Sequence, residues 1–223
     1  MNTIVRAVIF DLFDTLVPFP LAFWQETALL MGRAVCPDGP ERFVEWWTQD
    51  AAHQQRMSEP LPSSLRRLCD ERGLFPSAEA IAGVLGASRR LHERLLGSPR
   101  ADALDVLGQL RLQRVRLGLI SNCSSDAAEV WPSSQLAPYF DVTLFSAVEG
   151  IMKPDARIYR AALARLGVRP DETIYVDDHV IALAGAAAVG LRTVQLRSAG
   201  VERDSWNGER IDELSLLPGL LSG

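Results

Sequence analysis

The chain opens on a mostly apolar run, Ile4-Val-Arg-Ala-Val-Ile-Phe10, that stops in acid at Asp11. Val, Ile and Phe without regular polar alternation predict a parallel strand buried on both faces. Just beyond Leu16, Pro18 and Pro20 break any continuing element. From about residue 21 to 97 the apolar positions recur at helical spacing, and no strand is predicted there. The spacing predicts helices over 23–31, ending near Gly32, over 41 to about 57, and over 63–72, closed by Gly73 as a C-cap. Ser77 caps a further helix, with Glu79 in the first turn where the dipole favours a carboxylate, and 87–96 carries another apolar stripe.

Strands and helices alternate again from Pro99 onward. The predicted order is a helix capped by Asp102 and running to 112, a strand over 115–121, and a helix starting at Ser124-Ser125-Asp126. A strand over 141–146 follows, then a helix over 155–166 stopped by Gly167. After it come a strand over 173–176, an Ala-rich helix to 189 stopped by Gly190, a strand over 193–196, and a tail helix over 211–221 covering the sheet. This alternation implies an α/β protein with a parallel sheet and right-handed crossovers. The helical stretch after the first strand reads as a small inserted domain.

Composition narrows the function classes. The 223 residues suffice for one large domain, or a domain plus an insertion. A net charge of −5 offers no basic face for nucleic acid or anionic membrane. Apolar runs are too short to span a bilayer, and the N-terminus lacks the parts of a signal peptide. Cys36, Cys69 and Cys123 are sparse, odd in number and without metal-like spacing, as suits a reducing cytoplasm. The expectation is a cytoplasmic monomer or homodimer with a small-molecule substrate. Of 23 basic residues 22 are arginine, and Lys153 is the one lysine.

In open α/β sheets ligands gather beyond the carboxyl ends of the strands. Asp11 therefore either caps a turn or meets a ligand. The second predicted strand ends in Ser121 and Asn122, the fourth is closed by Asp177 and Asp178, and Lys153 lies in a loop just before a helix. Three carboxylates converging in a buried place repel one another unless cations neutralise them. Lys153 supplies one charge, and a hard divalent cation with oxygen ligands, magnesium first, supplies the rest.

Asp11-x-x-x-Thr15-Leu16, then Ser121-Asn122, then Lys153-Pro154, then Asp177-Asp178 before a helix resembles the haloacid dehalogenase superfamily over essentially the whole chain. The resemblance implies a doubly wound, Rossmann-like parallel-sheet core of residues 1–17 and 98–223, with a helical cap domain of residues 18–97 inserted after the first motif. It implies that Asp11 is a nucleophile forming an aspartyl intermediate. Ser121 and Asn122, with Thr15, would bind the transferring group, and Lys153 would balance charge between that group and Asp11. Asp178, with Asp177 adjacent, would hold magnesium together with Asp11 and the backbone carbonyl of Phe13. A magnesium-dependent phosphatase acting on a small phosphorylated metabolite follows.

One position departs from that pattern. Phosphatases of this family usually carry a general acid–base Asp two residues after the nucleophile, and here that residue is Phe13. Asp14 stands where glycine is common in the family, and it replaces the missing acid only if the turn swings it inward. Without general acid–base help, typically worth about 10²–10⁴ in rate, good leaving groups are favoured. The dehalogenases that name the family carry an aromatic Tyr at this position and need no metal. Phe13 and the Ser121-Asn122-Cys123-Ser124 run favour that metal-free alternative. Asp177-Asp178 favours the metal-dependent one, and the inserted helices carry no clear match to the dehalogenases' arginine-bearing segment. A regulatory or binding domain that lost catalysis is a third reading, opposed by the retention of Asp11, Lys153 and Asp178.

Other polar and aromatic residues have plainer readings. His179 either tunes the metal site or meets substrate, or it caps the following helix. Trp24, Trp46 and Trp47 either line a pocket or fill the core between inserted helices. His53, Gln54, Gln55 and Arg56 read as a solvated helix face, Cys123 as inert, and Glu149 and Gly150 as shaping the Lys153 loop.

Overall fold

The computed structural model describes residues 4–49, 57–197 and 204–222. Among them, the run predicted as the first strand forms β1 (Ala7–Phe10), buried at every position. Its neighbours are β2 (Arg116–Ser121) and β4 (Thr173–Asp177), with β3 (Val142–Phe145) beyond β2. On the other side lie β5 (Arg192–Leu196) and β6 (Glu209–Ile211). All pairings are parallel, in the order β3-β2-β1-β4-β5-β6. The chain builds outward from β1 in one direction, then returns to build outward in the other. This doubly wound order places a crevice where the direction reverses, at the carboxyl end of β1.

Both faces of the sheet are covered, which explains the near-continuous apolar strands. Val8 and Phe10 of β1 join Leu117, Leu119, Ile174 and Val176 in one core. Ala7 and Ile9 face the opposite core with Ile120 and Tyr175. The first core is closed by α5 (Ala103–Leu112) and the 3₁₀ segment Leu214–Ser222, the second by α8 (Ala156–Leu166) and α9 (Val180–Ala188).

Among the described residues, the regular elements between β1 and α5 are α1 (Leu21–Val35), α2 (Pro40–Thr48), α3 (Leu61–Glu71) and α4 (Ala78–Leu96). They share their own apolar cluster around Met31, Phe43, Trp47, Leu65 and Val84. The sequence predicts an end near Gly32, yet α1 runs through it to Val35. A Cβ on Gly32 would collide with the Pro40 carbonyl, so this glycine lets α1 and α2 approach and is not a stop. The helix predicted over 41–57 ends at Thr48; 50–56, which hold the polar run at 53–56, lie outside the described residues, and Met57 is in a turn. The helix at Ser77 and the stripe over 87–96 are one helix, α4, capped by Ser77 Oγ accepting from Ala80 N–H.

At the C-terminal side the structure corrects the sequence twice. Asp102 precedes α5 but its side chain does not cap it; its Oδ2 accepts from the Leu214 and Ser215 N–H groups and anchors the 3₁₀ segment. Residue 211 belongs to β6, a sixth strand that the sequence reading lacks, so the tail is 3₁₀ and begins at Leu214. Two short α-helices, α6 (Ser125–Val130) and α7 (Ser146–Glu149), and 3₁₀ turns at Trp131–Ser133, Ala137–Tyr139 and Pro170–Glu172 complete the described elements. Ser124 Oγ does not cap α6 but donates to Asp126 Oδ1 at 2.6 Å.

Candidate active site

Parallel register determines what meets at the crevice. Phe10 pairs with Leu119 on one side and Val176 on the other, so Asp11 stands level with Asp177. The Asp11 N–H continues the ladder to the Val176 carbonyl at 2.9 Å. Carboxylate oxygens of Asp11, Asp177 and Asp178 lie within 4.8 Å of one another, and all three residues are buried. Lys153, arriving from the loop after α7, donates through Nζ to Asp11 Oδ1 at 2.5 Å and Asp177 Oδ2 at 2.8 Å. Tyr175, two residues before Asp177 on the same strand face, donates its hydroxyl to Asp177 Oδ2 at 2.5 Å. The His179 N–H takes Asp177 Oδ1 at 2.7 Å.

The electrostatics follow from burial. Burial pushes Asp11 up to about 6, with Lys153 pulling it down and Asp177 adding to the rise. At neutral pH Asp11 is still mostly ionised and able to act as a nucleophile. Desolvation disfavours the Lys153 ammonium, but Asp11 and Asp177 outweigh it and hold the amine charged well above its ordinary range. Burial also pushes the Cys123 thiol up to about 12, which keeps it an unreactive thiol at neutral pH.

Asn122 lines the cavity described below and also holds the loop that carries Lys153. Its Nδ2 donates to the Lys153 carbonyl at 2.9 Å and its Oδ1 accepts from the Lys153 N–H at 2.8 Å. The side chain thus clamps the backbone that carries the ammonium. Ser121 and Thr15 are almost fully buried, and their hydroxyl oxygens lack a hydrogen-bond partner of normal geometry among the described residues. Neither contributes to the cavity wall described next.

A cavity of about 450 Å³ opens over these groups, walled by Asp11, Asn122, Lys153, Asp177 and Asp178 on the sheet side. The remaining wall is largely apolar and includes Phe13, Phe19, Met57, Pro154 and Ile181. Phe13 packs edge-on to Phe19 with ring centroids 5.4 Å apart. Asp14 also lines the cavity, in a left-handed conformation (φ 62°), and its Oδ1 accepts from the Phe19 N–H at 2.9 Å. Its carboxylate therefore ties the turn that brings Phe19 over the site. His179 fits its capping reading, accepting from the Ile181 N–H at 3.4 Å through Nδ1, and it also lines the cavity.

A second cavity of about 310 Å³ adjoins the first and shares Phe19, Met57 and His92 with it. Trp24 and Trp47 line it, while Trp46 instead lies under the Arg72 guanidinium. His92 was not singled out in the sequence. It lies on α4 and its Nδ1 is 2.7 Å from Asp126 Oδ2 on α6, both side chains buried. The only signal was a histidine within an apolar helical stripe, because its partner is 34 residues away. Burial alone would raise Asp126, but hydrogen bonds from His92, Ser124 and Ser88 overcome it and hold the carboxyl at about 2.

The donor chemistry suits a hard divalent cation. The carboxylates of Asp11, Asp177 and Asp178 would offer such an ion oxygen ligands, beside the Lys153 ammonium.

Comparison with known proteins finds relatives of two kinds, dehalogenases and phosphatases. The (S)-2-haloacid dehalogenase 4A of Burkholderia cepacia is 28% identical over 207 residues, covering 88% of this chain and 84% of that protein. The glyceraldehyde 3-phosphate phosphatase of Methanopyrus kandleri is 27% identical over 200 residues, covering 86% and 84%. A solved HAD phosphatase from Thermococcus onnurineus shares the fold with a TM-score of 0.76 at 19% identity, over 98% of this chain and 99% of that one. The family model for haloacid dehalogenase-like hydrolases matches residues 5–190, and the chain belongs to that family.

Proposed function

We propose that this hydrolase is a magnesium-dependent phosphatase that cleaves a small phosphate monoester through an aspartyl-phosphate on Asp11. The observation that carries the reading is the convergence of Asp11, Asp177 and Asp178 beside Lys153 at the cavity floor. Asp11 and Asp178, with the Phe13 carbonyl, would hold the cation, which would screen the phosphoryl oxygens from the carboxylates. Asp177, already bonded by Lys153, Tyr175 and His179, would serve chiefly to fix the ammonium.

In this reading a phosphoryl oxygen replaces part of the Lys153–Asp11 contact, freeing an Asp11 oxygen to attack phosphorus. The ester bond breaks, and water then attacks the phosphorus of the aspartyl-phosphate, releasing inorganic phosphate and restoring Asp11. Asn122 would keep Lys153 in register. Residues 1–17 and 98–223 would form the core domain and 18–97 the cap, whose apolar wall selects the substrate. Free Cys36, Cys69 and Cys123 accord with a cytoplasmic setting.

The test is hydrolysis of p-nitrophenyl phosphate with magnesium and with EDTA. The expected result is turnover that EDTA abolishes and that Asp11→Asn loses while remaining folded by circular dichroism. A folded, active Asp11→Asn variant would overturn the nucleophile. Phe13 favours a second reading, 2-haloacid dehalogenation, since halide leaves without a proton and a phenyl ring occupies the donor position. Chloride release from 2-chloropropionate that is indifferent to EDTA would select it.

A further inference from the structure

Phe13 removes the usual proton donor but brings another group to its flank. The His92 ring lies 5.9 Å from the Phe13 ring, centroid to centroid, and both line the main cavity. Its Nδ1 is taken by Asp126 at 2.7 Å, and Asp126 is in turn held by Ser124 at 2.6 Å. A carboxylate can only accept, so Nδ1 carries a proton whatever the state of the ring. Proton exchange therefore falls to Nε2, on the ring edge away from Asp126.

We propose that His92, oriented by Asp126, is the general acid and base of this hydrolase, delivered from the inserted helices in place of residue 13. The proposal rests on the phosphatase reading above. As the Asp11 oxygen forms its bond to phosphorus, the bond from phosphorus to the ester oxygen breaks, and that oxygen takes the Nε2 proton to leave as an alcohol. Neutral His92 then accepts a proton from water as the water oxygen attacks phosphorus and the Asp11–phosphorus bond breaks. Each turnover consumes one water and returns His92 to its protonated state. Asp126 stays ionised throughout and acts as a positioning residue. The substrate class widens accordingly, from activated phosphates to phosphate esters of ordinary alcohols.

The alternative is a purely structural link between α4 and α6, and leaving-group dependence separates the two. His92→Asn keeps a donor for Asp126 near the Nδ1 position and removes Nε2. kcat/KM covers the steps up to leaving-group departure, so it isolates the acid role. With magnesium present, His92→Asn should lower kcat/KM for p-nitrophenyl phosphate far less than for an alkyl phosphate, because nitrophenolate needs little proton help. For glycerol 2-phosphate it should fall by about 10²-fold or more. Equal losses on both esters, or no loss on either, in a variant with an unchanged melting temperature would overturn the proposal. A parent enzyme that hydrolyses neither ester overturns the phosphatase reading itself, and the acid role with it.

Discussion

At the residue scale, Asp126 shows how a buried charge can be made stabilising. Two hydroxyls and an imidazole surround it, and they hold its carboxyl at about 2 against the upward push of burial. A depressed folded-state value contributes stability that is complete above the unfolded value near 4 and is lost as pH falls through 2. Urea titrations between pH 5 and pH 2 should show the parent losing about 2 kcal/mol attributable to this group, and Asp126→Asn lacking that loss. Parallel pH profiles for the two would refute it. Asp11, Asp177 and Asp178 were legible because each ends or follows a strand in a chain of alternating elements, and Lys153 because it is the one lysine, in a loop just before a helix. Tyr175 was legible in principle, since strand period two sets it on the face of Asp177. The His92–Asp126 pair was not, because nothing local on α4 encodes a partner on α6.

Among the elements, the strands were the most readable, since being buried on both faces leaves apolar runs with sharp polar ends. Three-residue β6 was missed because Glu209 and Arg210 interrupt any apolar pattern and pairing with β5 alone defines it. Glycine misled in one place and informed in another. Gly32 imitates a stop because close packing and chain reversal require the same residue, whereas Gly167 ends α8 in a left-handed conformation (φ 64°), as expected. Gly185 on α9 belongs with Gly32. A Cβ there would stand 2.7 Å from the Pro154 carbonyl oxygen and 2.8 Å from its Cβ, immediately after Lys153. Gly185→Ala should cost about 1–3 kcal/mol in chemical denaturation. It should also lower kcat, by displacing the backbone that carries the ammonium. Unchanged stability and kcat would mean that this helix and loop separate freely.

For the molecule as a whole, the strand ends supply the charges, and Phe13, Phe19, Met57, Pro154 and Ile181 supply the apolar part of the cavity wall. No helix among the described residues is long and apolar enough to cross a membrane. Family membership was readable because four short motifs occur in the right order, but order alone leaves open which leaving group departs. The reading as a magnesium enzyme makes a global prediction. Magnesium at about 100 times its dissociation constant should stabilise the folded chain by about 2.7 kcal/mol, visible as a rise of several degrees in melting temperature. Asp178→Asn should abolish that rise; an equal shift in the variant would place the ion elsewhere.

The scarcity of lysine has a practical side. With one ε-amine among the side chains, and that one buried between two carboxylates, amine-selective reagents have a single side-chain target. A mild acylating probe should leave the folded chain's side chains unmarked and add one label when the crevice opens. Mass spectrometry of labelled protein would then time the breathing of this one place without mutation or substrate.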